Sequence, residues 1–317
     1  MTTLKTVFFR DGRPGHEKQS QGILRALSRY VELDIHDVKL KSSGRLTSLL
    51  AYFTYFLPFY RFSHYLPENP DILIGSGSRT HLPLLSCKKK YGGYALTCMS
   101  PSAALRNRFD LCFVPVHDRL APAENIVQTI GPPNIAANRN EHDSAKSLIL
   151  VGGVDEHSHR WESESIGDAI RDLLHFSENQ QWTVTSSPRT PADTENLLAL
   201  LADQHANLWY VPYETTKPGW IERQYDVHRN VWVTGDSISM VYEALTAGCS
   251  VGIIPVQWKK RENKFLYSLH YLIENKRVIT LNQYLQGAAY QDQSRSLDEA
   301  DRCAKELLKR WWPEILP

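Results

Sequence analysis

Apolar positions along this chain of 317 residues fall into short runs separated by stretches with helical spacing. LKTVFF, VELDIHDV, DILIGSG, GYALTCM, DLCFVPV and IVQTIG read as strands, with helices between them. That alternation predicts parallel strands covered by helices on both faces. The segment 131–146 is polar, rich in turn formers and without periodicity, which predicts a linker. Beyond it SLILVGG, a helix near Trp161–Ser177, WTVTSS, a helix near Ala192–His205, NLWYVPY, VWVTG, a helix from Ser237 and SVGIIP repeat the pattern. The expected fold is therefore α/β, with two doubly wound Rossmann-like domains, residues 1–135 and 146–317, facing a cleft. A final helix near Ser296–Trp312 is expected to pack across that cleft and end the fold.

Composition is that of a globular protein, 42% hydrophobic and 22% charged. Five cysteines without C-x-x-C or zinc spacing suit a reducing compartment, and no export signal opens the chain, so a cytoplasmic location is expected. Charge is uneven: residues 1–146 carry 19 Lys and Arg against 12 Asp and Glu, about +7, and the remainder is about −6. A basic half attracts phosphates or acidic lipid; uneven solvation charge explains so modest an excess equally well. A nucleic-acid partner is not expected. The stretch Leu46–Tyr60 is 15 uncharged residues broken by Pro58, short of the ~20 that span a bilayer. With its aromatics and flanking Arg45 and Arg61, Leu46–Phe62 fits a segment lying at a membrane surface, or a buried core helix.

Polar residues at the carboxyl ends of strands carry the candidate chemistry, because ligands of α/β sheets bind there. In VWVTGDSISMVYEALTAGCSVGIIP, Val231–Pro255, Ser237 is placed to cap a helix whose N–H groups and positive dipole end suit a diphosphate. Gly235, Asp236 and Met240 share that turn, and Glu243 lies about two turns in, where a carboxylate can accept both hydroxyls of a ribose. TSSPRTP, Thr185–Pro191, offers the hydroxyls of Ser186 and Ser187 and the planar fork of Arg189. Gly152 and Gly153, in LVGGVDEHSH, let a ligand approach the backbone. In the first half, RDGRPGHEKQSQG joins the first strand to the first helix. Asp11, His16 and Glu17 are its candidates for general-base work, and Gly15 helps the tight turn that presents them. GSGSRTH repeats the glycine turn with Ser76, Gly77 and Arg79, which together with Gly15 make a candidate acceptor site. No Asp-x-Asp occurs, which favours a metal-free mechanism with no cofactor beyond a nucleotide sugar as substrate. G-x-G-x-x-G after the first strand, the P-loop and G-x-S-x-G are missing too, which lowers oxidoreductase, nucleotidase and hydrolase readings.

Together DGRPGHEKQSQG, TSSPRTP and VTGDSISMVYEALTAG resemble the mitochondrial fission family named for elongated mitochondria, whose bacterial members are described as glycosyltransferases of lipopolysaccharide outer-core assembly. The resemblance implies a fold like the type B glycosyltransferases, with the C-terminal half binding the sugar nucleotide and the N-terminal half the acceptor. It also implies that Glu243 holds the ribose and that the acidic residue of the first loop, Asp11, serves as base. The expectation is a metal-independent transferase that moves a sugar to a lipid-linked or glycan acceptor, peripheral on the inner membrane. Two alternatives stay open: a non-catalytic membrane-associated scaffold of the same fold, and a nucleotide-sugar epimerase.

Overall fold

The computed structural model describes residues 2–40, 68–260, 263–290 and 297–316. The stretch Leu46–Phe62, expected at a membrane surface or in the core, lies outside them. Two compact units are present, Met1–Ile135 with Asp298–Pro317, and Ala136–Leu297.

The first unit holds a six-stranded sheet in the order β2-β1-β3-β4-β5-β6. Its strands are β1 Thr3–Arg10, β2 Glu32–Lys39, β3 Ile72–Ser76, β4 Tyr94–Cys98, β5 Leu111–Pro115 and β6 Ile126–Thr129. Every pairing is parallel. All five residues of β3 and of β5 are buried, as both faces of the sheet are covered. Alternation along β1 divides the core: Leu4 and Phe8 pack on one side, Val7 and Phe9 on the other. Helix α1, Pro14–Leu27, starts on a proline, which fits a first turn because its missing N–H has no partner there anyway.

The second unit repeats the design with the order β10-β9-β7-β11-β12-β14, again parallel throughout. Its strands are β7 Asp143–Leu150, β9 Gln181–Thr185, β10 Leu208–Val211, β11 His228–Thr234, β12 Ser250–Ile254 and β14 Val278–Thr280; His159–Arg160, β8, and Gln257–Trp258, β13, form a separate antiparallel pair. Helix Ser163–Phe176 buries Ile166, Ala169, Ile170, Leu173 and Leu174, the stripe of an amphipathic helix.

Two boundaries differ from expectation. The linker predicted over 131–146 is shorter, because β7 already begins at Asp143. The last helix, Glu299–Trp311, belongs to the first unit and not to the second half. Its Cys303, Ala304, Leu307 and Leu308 are buried in the same core as Leu4, Ile23 and Phe113, and Glu299 Oε2 accepts from the Ile130 N–H at 3.1 Å. An apolar stripe requires burial somewhere, and its spacing does not say against which sheet. Among the described residues no helix is long and apolar enough to cross a membrane.

Candidate functional site

In each unit the strand order reverses once, between β7 and β11 in the second and between β1 and β3 in the first. The carboxyl ends of strands flanking such a reversal form a crevice that suits ligands. Both crevices carry polar residues.

At the second-unit reversal, β7 and β11 lie in register with Leu150 beside Val233. The Gly152 N–H donates to Thr234 Oγ1 at 2.8 Å, joining the two strand ends. Gly152 and Gly153 are needed for space, since a Cβ on the first would overlap the Asp236 carboxylate and the Ser237 hydroxyl, and one on the second the Arg189 carbonyl. Arg189 donates from Nη2 to Asp236 Oδ2 at 2.7 Å and to Ser237 Oγ at 3.2 Å, and from Nη1 to the Gly153 carbonyl at 3.1 Å. The Asp236 side chain is 1% exposed and that of Arg189 is 43% exposed. TSSPRTP, LVGG and VTGDS, distant in sequence, thus meet around one ion pair.

Ser237 holds the N-cap position of helix Ile238–Thr246, but its hydroxyl makes no capping bond. The expected cap is corrected: the side chain turns to Asp236 Oδ2, to which it donates at 3.1 Å. The helix N–H groups and dipole remain directed at this spot. Ser187 donates its hydroxyl to the Gly152 carbonyl at 2.8 Å, and Ser186 Oγ accepts from the Tyr213 N–H at 3.0 Å. Both hydroxyls brace the loop. Gly235 donates its N–H to the Ile254 carbonyl at 2.8 Å, and Met240 is half-buried in the first turn of the helix. Glu243 is half-buried, with Oε2 accepting from the Tyr225 hydroxyl at 3.4 Å. Burial, then the Glu243 charge, pushes the Tyr225 phenol well above its ordinary range, so that hydroxyl stays a donor.

In the first unit, Asp11 follows β1 and His16 stands in the first turn of α1. Asp11 Oδ2 lies 2.8 Å from His16 Nδ1, and Oδ1 accepts from the Arg13 N–H at 3.0 Å. The Asp11 side chain is 1% exposed, that of His16 19%. A carboxylate on Nδ1 fixes the proton there and leaves the Nε2 lone pair for a substrate. Gly77, after β3, has φ +87°, and a Cβ there would overlap His16 Nδ1, so glycine is required by conformation and by space. Glu17 is occupied otherwise: Oε2 accepts from Arg10 Nε at 2.8 Å and Oε1 from the Gly12 N–H at 2.9 Å, which clamps the loop. Ser76 Oγ shares a buried hydrogen bond of 2.7 Å with Ser20 Oγ. Gly15 faces open space, and Arg79 is half-buried with no hydrogen bond or ion pair among the described residues.

His81, which the sequence did not single out, is buried in the helix after Gly77, with Nε2 3.3 Å from Thr97 Oγ1. Burial, helped by the His16 charge, lowers its pKa to about 4. The folded protein therefore keeps His81 neutral where the unfolded chain, near 6.5, takes up a proton. Stability is lost as pH falls from about 6.5 towards 4, by up to about 3 kcal/mol. Urea denaturation near pH 7 and near pH 4.5 should show a smaller acid loss for His81→Gln than for the parent. Equal losses would exclude His81 as a source. Thr190, Thr234 and His159 were missed as well; His159 is 2% exposed, with Nε2 3.0 Å from the Gly153 carbonyl. The signal was present in quoted motifs, as hydroxyls at strand ends and a histidine six residues after the glycines.

Two parallel sheets of six strands, each reversing once and carrying polar loops at that point, define a protein of the type B glycosyltransferase fold, with two Rossmann-like domains. A family model described as mitochondrial fission ELM1 matches residues 14–311, and the chain belongs to that family. No curated protein matches it in sequence. Among solved structures it is similar to MurG of Acinetobacter baumannii, with 14% identity, a TM-score of 0.56 and coverage of 97% of this chain and 99% of that one. Similarity extends to the S. aureus MnaA–UDP co-structure, with 13% identity, a TM-score of 0.50 and coverage of 99% and 98%. At such identities the likeness concerns the fold.

Proposed function

We propose that the chain is a metal-independent glycosyltransferase that takes a sugar from a nucleotide-sugar donor to a lipid-linked or glycan acceptor. The observation that carries this is the convergence of Arg189, the Gly153 N–H, Ser237 and a helix N-terminus at the second-unit reversal, a set of donors suited to a diphosphate. Glu243, on the same helix, is assigned to the ribose hydroxyls. The MnaA structure holding UDP on a similar fold supports a nucleotide ligand of this kind. The lipid-linked acceptor rests on the aromatic run Leu46–Phe62 in the sequence.

In the first unit the exposed partner of the dyad, His16, is assigned the base role, with Asp11 as its positioning residue. His16 Nε2 takes the proton of the acceptor hydroxyl as that oxygen bonds to the anomeric carbon. The bond from that carbon to the donor phosphate breaks, and the nucleoside diphosphate leaves with the electron pair. Donors aimed at the diphosphate stabilise its growing charge in place of a metal. Glu17 keeps the loop in shape through Arg10.

Calorimetric titration with nucleotides and UDP-sugars, with and without magnesium, tests the reading. Binding without magnesium is expected, and Glu243→Ala should weaken it by about 5- to 150-fold, about 1 to 3 kcal/mol, for the loss of hydrogen bonds to a charged group. Unchanged affinity in a folded variant would remove Glu243 from the site. Conversion of a UDP-sugar to its epimer without any acceptor would replace the transferase with an epimerase.

A further inference from the structure

We infer that Asp236 is a resident competitor for the anion site: its carboxylate takes the donors that the ligand's diphosphate must win. Arg189 Nη2 at 2.7 Å, the Ser237 hydroxyl at 3.1 Å and the Gly153 N–H at 3.2 Å all converge on the single oxygen Asp236 Oδ2. A cation, a hydroxyl and a backbone N–H beside a helix N-terminus are the elements of an anion site. One carboxylate oxygen sits at their focus. This inference rests on the donor-site reading above and deepens it.

The other oxygen shows that the arrangement is only half satisfied. Asp236 Oδ1 is buried and accepts no hydrogen bond among the described residues, which in a buried carboxylate is a standing cost. Both oxygens crowd the face of Gly152, where a Cβ would overlap them. In water each oxygen would be fully hydrated, so turning the side chain out recovers what burial withholds from Oδ1. Arg189, by contrast, is 43% exposed and open to an arriving anion. A ligand with two phosphate groups carries more negative charge than one carboxylate and offers acceptors to the guanidinium, the hydroxyl and the N–H together. It therefore displaces Asp236, whereas a weaker anion does not. Asp236 sets a threshold of charge for entry, and every bound diphosphate works against it.

The consequence runs opposite to that for an ordinary contact residue. Removing the carboxylate should strengthen binding. Calorimetric titration of UDP and of inorganic pyrophosphate into the parent and into Asp236→Asn, which keeps the side-chain shape, is expected to show about tenfold or more tighter binding by the variant. That is a conservative size for removing a like charge within a few ångströms of the ligand. Appearance of binding in the variant where the parent shows none gives the same support. Tighter or equal binding by the parent overturns the competitor role; if the parent binds UDP, the donor-site reading stands and Asp236 merely orients Arg189. Failure of both proteins to bind either probe overturns the inference and the donor-site reading together. Should Asp236→Asn not fold, a crystal structure of the parent grown with UDP decides. Separation of Arg189 from Asp236, now 2.7 Å apart, with phosphate on Arg189 supports displacement, and an intact pair overturns it.

Discussion

Replacing His16 with alanine should lower sugar transfer by ~100- to 10,000-fold, the usual contribution of a positioned base, and leave UDP affinity unchanged. Asp11 is 1% exposed in its side chain, and both its oxygens are engaged, Oδ2 by His16 Nδ1 and Oδ1 by the Arg13 N–H. Such a carboxylate cannot meet an acceptor hydroxyl directly, but it can hold the imidazole in the tautomer whose Nε2 accepts a proton. Asp11→Asn keeps the shape and removes that preference, so its loss of rate should approach that of His16→Ala. Initial rates with a donor and acceptor, beside calorimetry with UDP, check the result. A nearly active His16→Ala variant beside an inactive Asp11→Asn variant would return the base role to Asp11.

That assignment illustrates what a sequence can and cannot state about a site. Asp11, His16 and Glu17 were all readable as candidates because the loop after a first strand is where catalytic groups of an α/β protein stand. Choosing among them required burial and partners. Glu17 is bound by Arg10, only seven positions earlier, yet nothing in RDGRPGHE marks that pair over others. The same holds in the second unit. Strand runs and glycine turns follow from hydrophobic and turn patterning, so the two-domain parallel fold was legible, whereas the strand order and its reversals are set by pairings between distant segments. Ser237 occupies the position a cap would take, but Arg189, 48 residues away, and Asp236 compete for its hydroxyl. Helix Glu299–Trp311 went to the wrong unit for a similar reason, since a stripe of Ala, Cys and Leu fits either sheet. Local pattern fixes elements, and contacts between distant segments fix the roles within them.

The close approach of two such segments carries the last expected result. Gly153→Ala should cost about 3 to 5 kcal/mol of stability and weaken UDP binding by at least about tenfold. A Cβ at Gly153 would overlap the carbonyl oxygen and carbon of Arg189 and crowd the Thr190 nitrogen, all backbone atoms that no rotamer change can move aside. The loops must separate. Separation strains the Val154 N–H bond to the Arg189 carbonyl, 2.9 Å, the Arg189 bond to the Gly153 carbonyl, 3.1 Å, and the Gly153 N–H bond to Asp236, 3.2 Å. Each buried group left without a partner adds its own penalty, and a few kcal/mol is a large share of the ~5 to 15 kcal/mol that holds a domain folded. Gly235→Ala is the matched control in the same crevice. Among the described residues a Cβ there comes no nearer than 3.5 Å to a neighbouring atom, that of Leu269, so its stability should stay within about 1 kcal/mol of the parent. Chemical denaturation of both variants with UDP titration reads the contrast. If Gly153→Ala is as stable as Gly235→Ala and binds UDP like the parent, the packing of LVGG against TSSPRTP does not hold the site together.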